Sequence, residues 1–261
     1  MPEGKIHIGT SGWNYSSWLG VFYPEKLTSK KYLQFYSEHF NTVEINASFY
    51  YLFGSKSYQN WYNQVPENFS FSVKVHRSIT HIKRMKDVGQ QWERFLEGAK
   101  SLREKLRVIL FQFPSSFRYS DENRENIEKF LASEYEKCDT RIAFEFRHIS
   151  WDNAEIANIL KKHKAGWVIA NSSRYPEIER ITSDFAYFRM HGPRELFASE
   201  YSEQDIKKLA EKIKKLSKTK DIFVYFNNDF HGYAIKNALQ LKGFFIAEGL
   251  TDNRFCVRYE R

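Results

Sequence analysis

Cysteine is scarce in this 261-residue chain: only Cys138 and Cys256 occur, in unrelated contexts and without a CxxC pair. Two such residues build neither a disulfide framework nor a zinc ribbon, and a reducing cytoplasm is the expected compartment. Long apolar runs are missing too. Met1, Pro2, Glu3, Gly4 and Lys5 lead straight into an alternating pattern, without the apolar stretch of a secretory leader. No run approaches the roughly 18 residues of a membrane span, so no membrane partner is expected. The first apolar run is followed by Gly9-Thr10-Ser11-Gly12-Trp13, which is not G-x-G-x-x-G, and no Walker A sequence, HExxH or EF-hand loop occurs.

What remains has globular proportions. Hydrophobic residues make up 42% and charged residues 28%, which excludes disorder, collagen and coiled coil. Aromatic residues are unusually frequent at 17%, with 23 Phe, 16 Tyr and 6 Trp. The balance of 40 Lys+Arg against 32 Asp+Glu leaves +8 and a pI near 9.2. That charge permits a polyanionic partner through counterion release, yet is also common in ordinary soluble proteins.

Eight short β-branched or aromatic runs recur, each followed by turn residues and a polar stretch of helical period. They are 5–9, 42–46, 70–76, 107–113, 141–147, 166–171, 185–191 and 221–227. Helices are predicted at 29–39, 55–64, 90–105, 122–137, 153–163, 203–217 and 231–242, with none after the sixth run. Parallel neighbours need long return connections, so this alternation predicts a (β/α)8 TIM-type barrel, a single α/β domain over 1–261. The basic run Lys207 to Lys220 places Leu209, Ala210, Ile213 and Leu216 on one face and reads as a solvated outer helix.

Side chains at i and i+2 share a strand face. The strand ends carry Glu44 and Asn46, Lys74 and His76, Glu145 and Arg147 followed by His148, and Arg189 and His191. Gln112, Asn171 and Asn227 end the fourth, sixth and eighth strands, and Thr10 or Ser11 the first. Barrel enzymes gather catalytic groups at the carboxyl ends of their strands, and unpaired buried charge is too costly to be there for stability. Glu44 or Glu145 is the candidate base, with His148 or His191 protonating the leaving group. Lys74, Arg147 and Arg189 outnumber the carboxylates, which points to an anionic ligand clamped by the two arginines. Lys74 is either a phosphate-binding charge or a Schiff-base nucleophile. No cofactor is predicted, although Glu44, Glu145 and His191 leave a divalent metal conceivable. An ion-pair network closing the barrel top is the structural alternative.

Aromatic residues cluster past the strand ends: Trp13, Tyr15 and Trp18, then Phe49, Tyr50 and Tyr51, then Trp151. Such rings either stack on a base or sugar or pack loops onto the barrel. The loop from Arg77 to Lys86 adds Arg77, His81, Lys83, Arg84 and Lys86 beside the mouth.

The segments IGTSGWNYSSWLGVFYP (8–24), FNTVEINASFY (40–50), FSFSVKVHRSITH (69–81), LFQFPSSF (110–117), FEFRHISW (144–151), FAYFRMHG (185–192) and FNNDFHGYAIKNA (226–238) resemble the YecE-like family, domain of unknown function 72. The resemblance spans nearly the whole chain and implies a TIM-type barrel. It also implies that Glu44, Asn46, Lys74, Thr80, His81, Gln112, Glu145, Arg147, His148, Trp151, Arg189, His191, Gly192, Asn227 and Asn228 occupy the family's motif positions. Asn171 departs from the Asp expected there. The family implies no reaction.

The expected function is enzymatic: hydrolysis or lyase cleavage of a phosphoester, with nucleic acid preferred over a free sugar phosphate. An isomerase or aldolase-type enzyme acting on a sugar or sugar acid through Lys74 or a metal is the alternative, and a noncatalytic metabolite-binding module a further one.

Overall fold

The computed structural model describes residues 4–135 and 138–249, so Cys256 lies outside the described residues. Its strands are β1 (Ile6–Thr10), β2 (Thr42–Ile45), β3 (Ser70–Lys74), β4 (Leu106–Gln112), β5 (Arg141–Glu145), β6 (Gly166–Asn171), β7 (Phe185–Met190) and β8 (Asp221–Phe226). The helices are α1 (Tyr32–His39), α2 (Ser55–Asn63), α3 (Gly89–Ala99), α4 (Asp121–Ser133), α5 (Ala154–Lys162), α6 (Glu203–Ser217) and α7 (Tyr233–Ala247). All eight strands form one parallel sheet ordered β1-β8-β7-β6-β5-β4-β3-β2. Each strand lies beside its sequence neighbour and β8 returns to β1, the α/β barrel that the alternation predicts. No helix is long and apolar enough to cross a membrane among the described residues.

Only the β1–β2 seam lacks a regular ladder, and side chains replace it. Asn41 acts as a missing strand residue: its Oδ1 accepts from the Ile8 amide at 3.1 Å and its Nδ2 donates to the Ile6 carbonyl at 3.0 Å. Tyr36 Oη accepts from the Thr10 amide at 2.8 Å and donates to the Thr42 carbonyl at 3.2 Å. Gly9 permits this approach, because a Cβ there would stand 2.1 Å from the Thr42 oxygen. Above, the Gly12 amide donates to the Glu44 carbonyl at 2.8 Å.

Two apolar compartments follow from the period of 2. Val108, Leu110, Ala143, Val168, Ala170, Phe185, Tyr187, Phe223 and Tyr225 fill the barrel interior, and a larger layer lies between strands and helices. The interior becomes polar toward the carboxyl ends of the strands. Tyr225 Oη meets Thr42 Oγ1 at 2.7 Å and Ser72 Oγ at 2.8 Å. Above them lie buried Glu44, Lys74, Gln112, Glu145 and Arg189.

Boundaries shift where single residues forbid continuation. The helix expected over 90–105 is α through Ala99 and 3-10 over Lys100–Lys105, with Arg103 at φ +49°. The stretch expected over 231–242 starts as a helix only at Tyr233, because His231 and Gly232 are left-handed, and it runs on to Ala247 with Phe245 buried. The helix expected to reach 137 stops at Ser133. In α6, capped by Ser202 with Asp205, Ile206, Leu209, Ala210 and Ile213 are buried while Lys207, Lys208, Lys214 and Lys215 are exposed. The basic run is therefore a solvated outer helix.

Candidate active site

The last interior residue of each strand points into the mouth. Ser11 rather than Thr10 does so on the first strand: Ser11 Oγ donates to Glu44 Oε1 at 2.7 Å, whereas Thr10 Oγ1 turns outward to Tyr36 Oη at 3.0 Å. Across the barrel, Arg189 Nε and Nη2 donate to Glu44 Oε2 and Oε1 at 3.0 and 2.7 Å. Its Nη1 donates to Glu145 Oε2 at 2.5 Å. Tyr187 Oη donates to Glu44 Oε2 at 2.7 Å, and Arg147 Nε donates to Glu145 Oε1 at 2.6 Å. The result is a buried chain Glu44–Arg189–Glu145–Arg147.

Electrostatics follow from this pairing. Burial opposes ionisation of Glu44, but the Arg189 charge and three side-chain donors outweigh it and hold the carboxyl below its ordinary range. Glu145 is likewise buried, and Arg147 and Arg189 hold it well below that range. Every oxygen of the two carboxylates already accepts a hydrogen bond from Ser11, Tyr187, Arg189 or Arg147, so neither is free to take a proton from a substrate. Burial is the largest influence on Arg189 too, yet the two carboxylates push its pKa up rather than down.

Lys74 behaves differently. It is 9% exposed, its Nζ donates to Gln112 Oε1 at 2.6 Å and lies 4.0 Å from the Phe49 ring centroid, and it joins no ion pair among the described residues. Gln112 is oriented by its Nε2, which donates to the Phe113 carbonyl at 2.6 Å. Burial, then the charges of Arg189 and Arg147, bring the Lys74 amine down to about 7. Other buried lysines are satisfied by backbone: Lys105 Nζ donates to the carbonyls of Tyr62 and Val65, and Lys242 Nζ to that of His39.

The histidines divide by position. His81 packs edge-on against Phe49 at 4.7 Å, with Nδ1 at 2.9 Å from Thr80 Oγ1. Burial, then Lys74 and Arg147, bring it down to about 4, so it is neutral at pH 7. His191 is fully buried and also brought down to about 4, chiefly by burial. Asn227 Nδ2 donates to its Nδ1 at 3.1 Å, which assigns the proton to Nε2. That Nε2 is 3.4 Å from Glu145 Oε1 and has no well-formed hydrogen bond. A neutral, buried His191 is poorly placed to protonate a leaving group. His148 Nδ1 accepts from the Ser150 amide at 3.1 Å and caps the turn Ile149–Trp151.

His148 and Arg147 face an adjoining cleft of about 560 Å³, lined also by Ser115, Ile149, Arg174, Tyr175 and Pro176. The Arg147 guanidinium lies 4.5 Å from the Tyr175 ring centroid. Asn46 follows β2 on the interior side, with a buried Oδ1 that has no hydrogen-bond partner among the described residues.

Four expected site residues have no side chain free to meet a ligand in the mouth. Arg189, expected to clamp the substrate anion, is 1% exposed with all three guanidinium nitrogens on glutamates. Asn171 has the wrong parity: it shares the outer face of β6 with Ile169, accepts from Tyr201 Oη at 2.7 Å and donates to Glu177 at 2.6 Å. Asn228 is outside as well, donating to the Ser199 carbonyl and Asn237 Oδ1. Trp151 is fully buried, stacked on Phe117 and Phe146, with its indole N–H on the Phe117 carbonyl at 2.7 Å. It packs a loop instead of receiving a ring. A metal set of Glu44, Glu145 and His191 does not fit either, since Arg189 occupies the space between the carboxylates. Among the described residues no group of three His, Cys, Asp or Glu is arranged to hold a metal.

Sequence comparison matches residues 7–252 to the family described as "Protein of unknown function DUF72". The chain belongs to this family. It is 30% identical to UPF0759 protein YunF of Bacillus subtilis (strain 168) over 268 residues, covering 90% of this chain and 93% of YunF. A DUF72 family protein from Thermotoga maritima superposes with a TM-score of 0.83 at 33% identity, covering 93% of this chain and 99% of its own. SacUVDE shares the fold, with a TM-score of 0.61 at 11% identity, covering 95% of this chain and all of its own. In this DUF72 chain, Tyr187 escaped prediction as a ligand of Glu44, although its position two residues before Arg189 puts it on the same face. Arg174 and Tyr175 lie in a connection with no period or motif to mark them, and Ser115 lies within the segment 110–117 without having been singled out.

Proposed function

We propose that the protein is a lyase that eliminates a phosphate ester from a phosphate-bearing aldehyde through a Schiff base on Lys74. The observation that carries this reading is the placement of Lys74: buried, in no ion pair among the described residues, and within reach of two arginine charges. Desolvation and neighbouring cations are the conditions under which a lysine amine becomes a nucleophile. Both glutamates are saturated, so they hold Arg189 and Arg147 in place and neither serves as base, which disfavours the hydrolytic version.

The steps balance without an oxidant or reductant. Lys74 Nζ adds to the aldehyde carbon, and loss of water gives the iminium. Removal of the α-proton leaves an electron pair that forms the α–β double bond as the β carbon–oxygen bond breaks. Phosphate departs with the bonding pair, and water hydrolyses the iminium to restore the amine. Neutral His81, on the same Phe49 ring as Lys74, is the candidate base. Arg147 stabilises the departing anion, and Asn46 Oδ1 accepts a substrate hydroxyl. The same amine would serve aldol-type cleavage of a sugar; the cationic surroundings favour phosphate as the leaving group.

Borohydride reduction in the presence of glyceraldehyde 3-phosphate tests this. The iminium should be captured as a secondary amine mapped to Lys74, with inorganic phosphate released when borohydride is omitted. No adduct, or label spread evenly over surface lysines, would contradict the reading.

A further inference from the structure

The large apolar side chains left exposed among the described residues all sit at one end of the barrel. They lie in connections that leave the carboxyl ends of strands, and none is on an outer helix or at the opposite end. Tyr50 and Tyr51 follow β2 at 63% and 66% exposed, Ile82 follows β3 at 66%, and Ile149 follows β5 at 59%. Scattered single exposures need no explanation, but a set confined to the rim of one polar mouth does.

Cations interleave with these side chains. The connection after β3 exposes Arg77, Arg84 and Lys86, and the one after β6 exposes Arg174. Lys86 meets Glu122 in a pair more than 60% exposed on both sides, which holds little of its charge back. The cleft described above unites both features, with Arg147 and Arg174 beside exposed Ile149 and the Tyr175 ring. Arg147 joins it to the buried chain, since its Nε is on Glu145 while its guanidinium borders the cleft.

We propose that the mouth takes a single-stranded polynucleotide, one backbone phosphate in the cleft between Arg147 and Arg174, with neighbouring bases on Tyr50, Tyr51 and Ile149. This rests on the lyase reading and names its substrate class. Unpaired bases present faces to exposed rings, whereas a duplex keeps them stacked, and alternation of rings with arginines is how sequence-tolerant single-strand binding is built. An abasic sugar within such a strand supplies the chemistry: its open form is an aldehyde whose β carbon carries a phosphate ester. A protein partner would bury the rim apolar groups without using the cationic cleft.

Fluorescence anisotropy with a labelled oligothymidylate, its duplex with oligoadenylate, and heparin as a competing polyanion tests the proposal. The single strand should bind at least about 10-fold more tightly than the duplex at equal salt. Replacing both Tyr50 and Tyr51 by Ala should weaken it by about 10-fold per ring lost. Arg174→Ala should lower the salt slope by about one unit. Thermal melting of each variant separates lost contacts from lost folding. Equal affinity for duplex and single strand, indifference to the ring substitutions, or no salt-dependent binding would each overturn the proposal. Adduct formation with glyceraldehyde 3-phosphate but no strand binding would remove the polynucleotide and leave the lyase. Ring-dependent strand binding without any adduct would remove the chemistry and leave the occupant.

Discussion

Arg189 stands between Glu44 and Glu145 with Nε and Nη2 on the first and Nη1 on the second, all three side chains essentially without solvent exposure. One guanidinium thus bridges two carboxylates contributed by β2 and β5 from a third strand, β7, and Arg147 supplies the second positive charge. Removing it leaves buried Glu44 without a cation and Glu145 with Arg147 alone. Arg189→Met should therefore destabilise the fold by about 3–5 kcal/mol in denaturant unfolding. Arg189→Lys should recover only part of the loss, because an ammonium cannot reproduce the forked contact.

Lys74 reports on its neighbours with opposite signs. Arg147 lowers its pKa and Glu145 raises it. Arg147→Met should move the midpoint of Lys74 reactivity above about 7, toward alkaline pH, and Glu145→Gln should move it to acid. Rates of adduct formation with glyceraldehyde 3-phosphate from pH 5.5 to pH 10 read both, with circular dichroism to establish that each variant is folded. Shifts in the same direction would show that these charges do not set the amine.

The depressed Lys74 pKa is also a statement about stability. Folded Lys74 titrates at about 7, far below its ordinary value, so between the two the unfolded chain binds one more proton. Stability contributed at this position therefore rises with pH across that window. Lys74→Met should be more stable than the natural chain by about 1–4 kcal/mol near pH 7, with the gap closing toward pH 10. Urea unfolding at the two pH values measures it.

Closure of the barrel depends on Asn41. Asn41→Ala leaves the Ile8 amide and the Ile6 carbonyl without their partners. A loss of about 1–3 kcal/mol is expected, with hydrogen exchange faster in β1 than in β5. Equal exchange in both strands would argue against the seam account.

The barrel was legible because eight repeats of one alternation leave few topologies, and Glu44, Lys74, Gln112, Glu145 and Arg189 were legible because period 2 sends them inward together. Parity failed where the strand's start was ambiguous: Asn171 ends β6 as Asn227 follows β8, but Ala170, one residue earlier, is the interior position. Roles were harder to read than positions. Arg147 and Arg189 look equivalent in sequence, and only the distances separate the one with a side open to the cleft from the one enclosed by carboxylates. Trp151 and Asn228 match family motifs yet serve packing, because a motif does not say which way a loop side chain turns.

The central claim is that Lys74 is an unprotonated amine near neutral pH, and competitive labelling with acetic anhydride measures it directly. Acetylation of each lysine is followed by peptide mass spectrometry from pH 5.5 to pH 11. Lys74 should reach half its limiting reactivity at about pH 7, well before the exposed lysines of α6. A Lys74 midpoint near 10, together with theirs, would contradict the account.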